Sequence, residues 1–156
     1  MNYFVCTYGL FPEQDELMDR SLKNGVYLLH QYARYPSAIA EVRAGDVLLL
    51  NVRGKGIVAY AYAAGNVKHI DAADEWNYVL KTRDGWHEGN LRKCWSPYGI
   101  AWATLRGGQF SLVKQVESTW ANGIFDEMGW ERPVQQTSNT TDVLFRDETP
   151  SSVAKN

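Results

Sequence analysis

The sequence predicts an α+β fold, a small mixed β-barrel with short helices packed outside it, and three observations carry that reading. Apolar runs of strand length recur along the chain, the turns between many of them are short and rich in glycine, and only brief stretches show the apolar spacing of a helix. The size and composition agree: 156 residues, 45% apolar and 22% charged, suffice for one domain with a complete core.

The elements follow in order. Tyr3-Phe4-Val5-Cys6-Thr7-Tyr8 reads as a buried first strand ended by Gly9. Residues 12–23 begin polar and acidic and place Leu17, Met18 and Leu22 at helical spacing, with Asn24-Gly25 as a left-handed stop. Residues 26–29 are apolar and form a second short strand, and residues 31–44 are expected to hold another helix. Ala44-Gly45-Asp46 is a turn that launches Val47-Leu48-Leu49-Leu50-Asn51-Val52, the strongest strand signal in the chain. Arg53-Gly54-Lys55-Gly56 supplies the positive φ of a hairpin, and residues 57–67 return as a strand with Tyr60 and Tyr62 on one face. Residues 69–89 read as a loop holding one short strand at 76–80. A further strand is expected at 98–103 and a last helix at 111–125, with Val113, Val116, Trp120 and Ile124 near one face. The polar, turn-rich remainder divides the chain into a domain over 1–134 and a C-terminal extension or linker over 135–156.

Cys6 and Cys94 are far apart and match no metal spacing, so buried free thiols in a reducing cytosol are expected. The N-terminus lacks the basic start and long apolar run of a signal peptide, and no stretch approaches the roughly 18 apolar residues of a membrane span. The expected location is cytoplasmic. The formal charge of −2 is unevenly spread: residues 20–114 carry +6, residues 115–156 carry −4, and the first nineteen carry four negatives. A basic middle between acidic ends is compatible with a phosphate-facing surface.

Catalytic patterns are scarce. The chain has no Gly-x-Ser-x-Gly elbow, no phosphate loop ending in Lys-Ser/Thr and no His-Glu-x-x-His. His87-Glu88 followed by Cys94 is superficially like a zinc deaminase, but the Pro-Cys-x-x-Cys half is missing. Arg53-Gly54-Lys55-Gly56 joins two strands and opens no helix, which separates it from a helix-dipole phosphate site. The expectation is a domain without catalytic residues, metal or cofactor. The six Trp and nine Tyr are the better lead. Trp76, Trp86 and Trp95 lie within twenty residues that also hold many Gly, Asn, Asp, Lys and Arg. Such rings either cover the barrel end or form a stacking platform for a base, worth about 1–3 kcal/mol each. An enclosed aromatic site also favours a methylated base, whose apolar methyl group prefers to leave water. A peptide or small-ligand module using the same rings, and a hydrolase acting through Asp84, His87 or Glu88, are the competing classes.

Four motifs together resemble the YTH and EVE branch of the PUA-like superfamily. They are Tyr3-Phe4-Val5-Cys6-Thr7, similar to Phe-Phe-x-Ile-Lys-Ser; Ser21-Leu22-Lys23-Asn24-Gly25-Val26-Tyr27, similar to Ser, a helix end and Gly-Val-Trp; the hairpin from Val47 to Ala61; and Tyr98-Gly99-Ile100-Ala101-Trp102, similar to Phe-x-Val-x-Trp. The resemblance runs from Tyr3 to about Phe110. It implies a base-binding cage of Tyr27, which stands where the family has Trp, with Trp76 or Trp86, and Trp95. It implies base-edge contacts from Thr7, Tyr8 and Leu28, while Arg34, Arg53, Lys55, Arg92 and Lys93 are the candidate phosphate contacts. The implied partner is nucleic acid with a modified base, DNA before RNA, read by base flipping. The implied context is a modification-dependent restriction system of Mcr type, with an AAA+ GTPase and a nuclease in another domain or partner.

Overall fold

The apolar runs pair into one curled mixed sheet. In the computed structural model the described residues are 1–30, 41–72, 74–89 and 111–134. Seven strands are present among them: β1 (Tyr3–Tyr8), β2 (Val26–Leu29), β3 (Val47–Val52), β4 (Gly56–Ala63), β5 (Lys68–His69), β6 (Tyr78–Glu88) and β7 (Ser111–Val116). Two helices accompany them, α1 (Gln14–Asn24) and α2 (Ser118–Met128). The sheet order is β2-β6-β4-β3-β1-β7, with β5 added beside β6. β1 and β3 are parallel and all other pairs antiparallel. The two ends of this order approach each other where the His30 N–H, just past β2, donates to Ser111 Oγ of β7 at 3.4 Å. The result is a half-barrel flanked by short helices, the small barrel-like α+β architecture expected from the sequence.

β1 and β3 lie at the centre and are buried along their whole length. A strand covered on both faces reads as an unbroken apolar run, which is why these two are so plain in the sequence. Their alternate side chains enter different cores. Phe4, Cys6, Tyr8, Leu48, Leu50 and Val52 point into the half-barrel, where Leu17 of α1 joins them. Tyr3, Val5, Val47 and Leu49 point outward beneath Ala121, Ile124, Phe125 and Met128 of α2. Cys6 is a buried free thiol, and burial pushes its pKa up. Among the described residues no helix is long and apolar enough to cross a membrane.

Three expectations change. β6 is an eleven-residue strand where a loop was expected after residue 80. Asp84 and Gly85 both take positive φ, 72° and 83°, so a kink within the strand reads as a turn in the sequence. Residues 111–116 form β7 on the free edge of β1 rather than the start of a helix, and α2 begins only at Ser118. Edge pairing overrides the helical spacing of Val113 and Val116, which instead serve the inner and outer cores. β4 ends at Ala63, not at residue 67, where its N–H and C=O are engaged by the turn at Gly45 and Asp46. The expected helix at 31–44, for its residues 31–40, the strand at 98–103 and the extension at 135–156 lie outside the described residues.

Gly25 ends α1 as predicted, in the left-handed region at φ 66°. Its carbonyl accepts from Thr82 N at 2.9 Å and Thr82 Oγ1 at 2.6 Å, binding the helix end to β6. A Cβ here would meet Thr82 Oγ1 at 3.1 Å and the Gly85 Cα at 3.3 Å. Gly25→Ala should therefore cost roughly 1–2 kcal/mol from the backbone conformation, and more if Thr82 must move. Urea denaturation measures this; an unchanged midpoint would contradict the tight approach.

Candidate functional site

A column of rings fills the half-barrel and reaches the surface at one end. Tyr27 of β2 is fully buried, its hydroxyl donates to the Thr7 carbonyl, and its ring centre lies 4.8 Å from that of Tyr8. The Tyr8 hydroxyl donates to Leu28 O at 3.2 Å, accepts from Leu28 N at 2.9 Å and shares a 2.7 Å bond with Ser21 Oγ. Burial raises the Tyr8 pKa well above its ordinary value, so the hydroxyl stays neutral and ties β1, β2 and α1 together.

Trp76 continues the column outward. It stands edge-on to Tyr8 at 6.1 Å, stacks with Phe11 at 5.6 Å and 19°, and meets His30 edge-on at 5.3 Å. Trp76 and His30 line a cavity of about 300 Å³ with Leu17 and Arg20 of α1, Glu13 and Glu16, and Asp74 and Glu75. Two polar contacts brace its mouth: the Arg20–Asp74 ion pair at 2.8 Å and a hydrogen bond of 2.9 Å between His30 Nε2 and Glu75 Oε1. Asp74 also accepts from the Trp76 N–H at 3.1 Å, which fixes the start of the Trp76 segment. Partial desolvation pushes the Asp74 carboxyl up, but the Trp76 N–H and the Arg20 guanidinium outweigh it and hold the group below its ordinary value. Glu13 and Glu16 carry no ion pair among the described residues, so the mouth is rich in acceptors.

The residues singled out from sequence fall in different places. Tyr27 and Tyr8 are brought together with Trp76 through ring contacts, with no side-chain surface open to solvent on either tyrosine. Thr7 and Leu28 are buried within the sheet. Trp86 belongs to β6, packs half-buried against the inner core and donates from Nε1 to Val26 O at 3.0 Å; Trp76, not Trp86, lines the cavity. Arg53 and Lys55 sit in the β3–β4 hairpin beside the start of α1. Gln14 Nε2 donates to Arg53 O at 2.9 Å, and Lys55 Nζ lies 3.7 Å from Asp15 Oδ1. Arg34, Arg92, Lys93 and Trp95 lie outside the described residues. Phe11, Arg20, Asp74 and Glu75 did not stand out in the sequence. Arg20 and Asp74 are 54 residues apart, and only the fold brings them together.

No protein-family model matches the sequence, and a search among curated proteins finds no match. Solved structures do match in shape. The YTH domain of the Zygosaccharomyces rouxii MRB1 protein, determined in complex with N6-methyladenosine RNA, superposes with a TM-score of 0.50 over 84% of this chain and 89% of that one, at 15% identity. A protein of Rhodopseudomonas palustris solved by NMR superposes with a TM-score of 0.50 over 83% of this chain and 94% of that one, also at 15% identity. At such identity the likeness is one of fold. The half-barrel with its short helices thus has the fold of the YTH domain on which it superposes.

Proposed function

We propose that this domain reads nucleic acid by taking one methylated base into the cavity beside Trp76. The observation that carries the proposal is the Trp76 indole, braced by Phe11, Tyr8 and His30, on the wall of a cavity of about 300 Å³. A flat ring rewards stacking whatever the base, and an apolar wall rewards a methyl group that leaves water. Glu13 and Glu16 offer acceptors for an exocyclic N–H, the donor that adenine and cytosine carry and that one methyl group on nitrogen does not remove. The YTH domain of similar fold was solved with N6-methyladenosine RNA, which agrees with this chemistry.

The same carboxylates repel phosphate, so the backbone must pass outside the cavity while the base enters it. The Arg53–Lys55 hairpin, joined to the start of α1 through Gln14 and Asp15, offers cations at the end of the helix that contributes Glu16 and Leu17 to the cavity. In a duplex the base has to leave the stack, at a cost of a few kcal/mol. We favour DNA on the resemblance to EVE modules, with the domain as the target-recognition part of a modification-dependent restriction system. Any nucleotide hydrolysis or strand cleavage then resides in another domain or partner. An RNA reader is the second reading, favoured by the RNA in the MRB1 complex.

Titrations of duplex DNA and single-stranded RNA, each with and without N6-methyladenine or 5-methylcytosine, test both. The methylated strand should bind more tightly, and Trp76→Ala should weaken it by about 1–3 kcal/mol. A fluorescent adenine analogue beside the modified position should brighten on binding to duplex, and both strands should remain intact with divalent metal present. Equal affinity for methylated and unmethylated strands of both kinds, or a silent Trp76→Ala, would sink the proposal; strand scission would make the domain an enzyme.

Tyr8→Phe separates scaffold from contact. Its hydroxyl bonds are all internal, so the variant should lose about 1–3 kcal/mol of stability in denaturation and keep its affinity. A tenfold loss of affinity at unchanged stability would instead make the hydroxyl a base contact.

A further inference from the structure

The outer face of β4 carries a second constellation, on the side of the sheet away from Trp76. Tyr60 and Tyr62 project there, and β6 sets His87 opposite the first and Arg83 opposite the second. Two residues of β4 thus face a span of four on β6, and the kink at Asp84 and Gly85 absorbs the excess. An even number of extra residues preserves the alternation of faces, so His87 and Arg83 still point the same way. The His87 ring stacks on Tyr60 at 4.6 Å and 21°, and the Arg83 guanidinium lies 5.4 Å from the centre of the Tyr62 ring. Behind them Phe125 and Trp130 hold Tyr60, each with ring centres 4.8 Å away.

Beside this ladder opens a cavity of about 730 Å³, walled by Tyr60, Tyr62, Arg83, Arg43, Glu131 and Arg132 among others. That volume lies in the ordinary range for small-molecule sites. Its charges are unequally engaged. Arg132 is held by Asp126, bonded through both Nε and Nη2. Asp46 is buried and accepts from the Asn2 and Arg43 backbone N–H groups, both at 2.9 Å, so its carboxylate already has two backbone donors. Arg43 and Arg83 are exposed, and neither guanidinium has an ion pair among the described residues. The lining thus sets three arginines against two carboxylates, Asp46 and Glu131, with Arg132 held further by Asp126.

We infer that this outer cavity is a second binding site, for a nucleotide unit, whose phosphate is taken by Arg43 and whose base stacks over the Arg83–Tyr62 pair. The fit is chemical. Arginine forks match phosphate oxygens, and both guanidinium planes and tyrosine rings are surfaces on which bases stack. The nucleotide can come free or within a single strand. The site is independent of the reading proposed for the Trp76 cavity, being built from other residues on the other face.

Titration of the 15N-labelled chain with adenosine monophosphate, an unmethylated oligothymidylate and inorganic phosphate tests the assignment. Amide shifts should cluster at Arg43, Tyr60, Tyr62 and Arg83 with the first two probes, and inorganic phosphate should reproduce only those near Arg43. The double variant Arg43→Ala, Arg83→Ala should bind at least about tenfold more weakly. Both side chains are exposed, so circular dichroism and Tm should not change. Trp76→Ala should leave these shifts intact, which separates failure here from failure of the methylated-base reading. Equal binding of mononucleotide and strand assigns the site to a free nucleotide, and binding of the strand alone to a polynucleotide. Shifts absent from this face with every probe, or full affinity in the double variant, would overturn the inference.

Discussion

β1 and β3 run parallel at the centre of the sheet with every residue of both strands buried, and the rest of the molecule is arranged to make that burial possible. A backbone removed from water on both faces must find all its hydrogen-bond partners within the sheet. β4 supplies one flank of the pair and β7 the other. Each face then needs an apolar cover. The inner face curls on itself and accepts α1; the outer face is sealed by α2. Parallel neighbours cannot be joined by a tight hairpin, so α1 and β2 lie in the crossover between them, as parallel pairing demands. That crossover carries Ser21 and Leu28 to the hydroxyl of Tyr8 and Tyr27 to its ring. The site at Trp76 is therefore a consequence of the way one parallel pair is connected.

What could be read in the sequence follows from this hierarchy. Strands buried on both faces announce themselves, so β1 and β3 were legible residue by residue, and the glycines at 25, 54 and 56 marked a helix end and a hairpin through positive φ. The second half of β6 was not legible. Residues 81–88 are exposed or half-buried with no period-two pattern, hold four charged side chains and kink at Asp84 and Gly85, all of which read as loop. β7 was missed because strand formation at a sheet edge depends on the partner waiting there, and a single chain segment does not display its partner. Trp76 drew attention by its polar neighbours, yet nothing local distinguished it from Trp86. The distinction lies in which interior surface each ring meets: Phe11, Tyr8 and His30 for one, the carbonyl of Val26 for the other.

Charge shows the same gap between composition and placement. Residues 20–114 are strongly basic as a segment, but the cavity they help build is ringed by carboxylates from α1, its approach and the loop before β6. Net charge over a stretch of sequence says little about the potential at one opening, because adjacent residues in a strand face opposite sides. The cations separate accordingly: Arg53 and Lys55 go to a hairpin against the start of α1, whereas Arg43 and Arg83 line the outer cavity. An acidic mouth with basic residues outside it suits a ligand whose neutral part enters and whose charged part remains in solvent.

The kink in β6 joins the two faces. Regular alternation places Thr82, Asp84 and Trp86 on one side and Arg83, Gly85 and His87 on the other. The two positive-φ residues lengthen β6 against β4 without exchanging these sets. Toward the interior, Thr82 bonds the end of α1 and Trp86 bonds the start of β2 through Val26, so the inner aromatic column is closed from that side. Toward the exterior, Arg83 and His87 are spaced to match Tyr62 and Tyr60. Gly85 also passes close to Gly25, where a Cβ would meet the Gly85 Cα at 3.3 Å. One local irregularity thus fixes the register of an inner wall and an outer surface together, and a change that straightened it would displace both. A strand of regular geometry would pair more fully with β4, but it could not present Arg83 and His87 at the separation that the two tyrosines require.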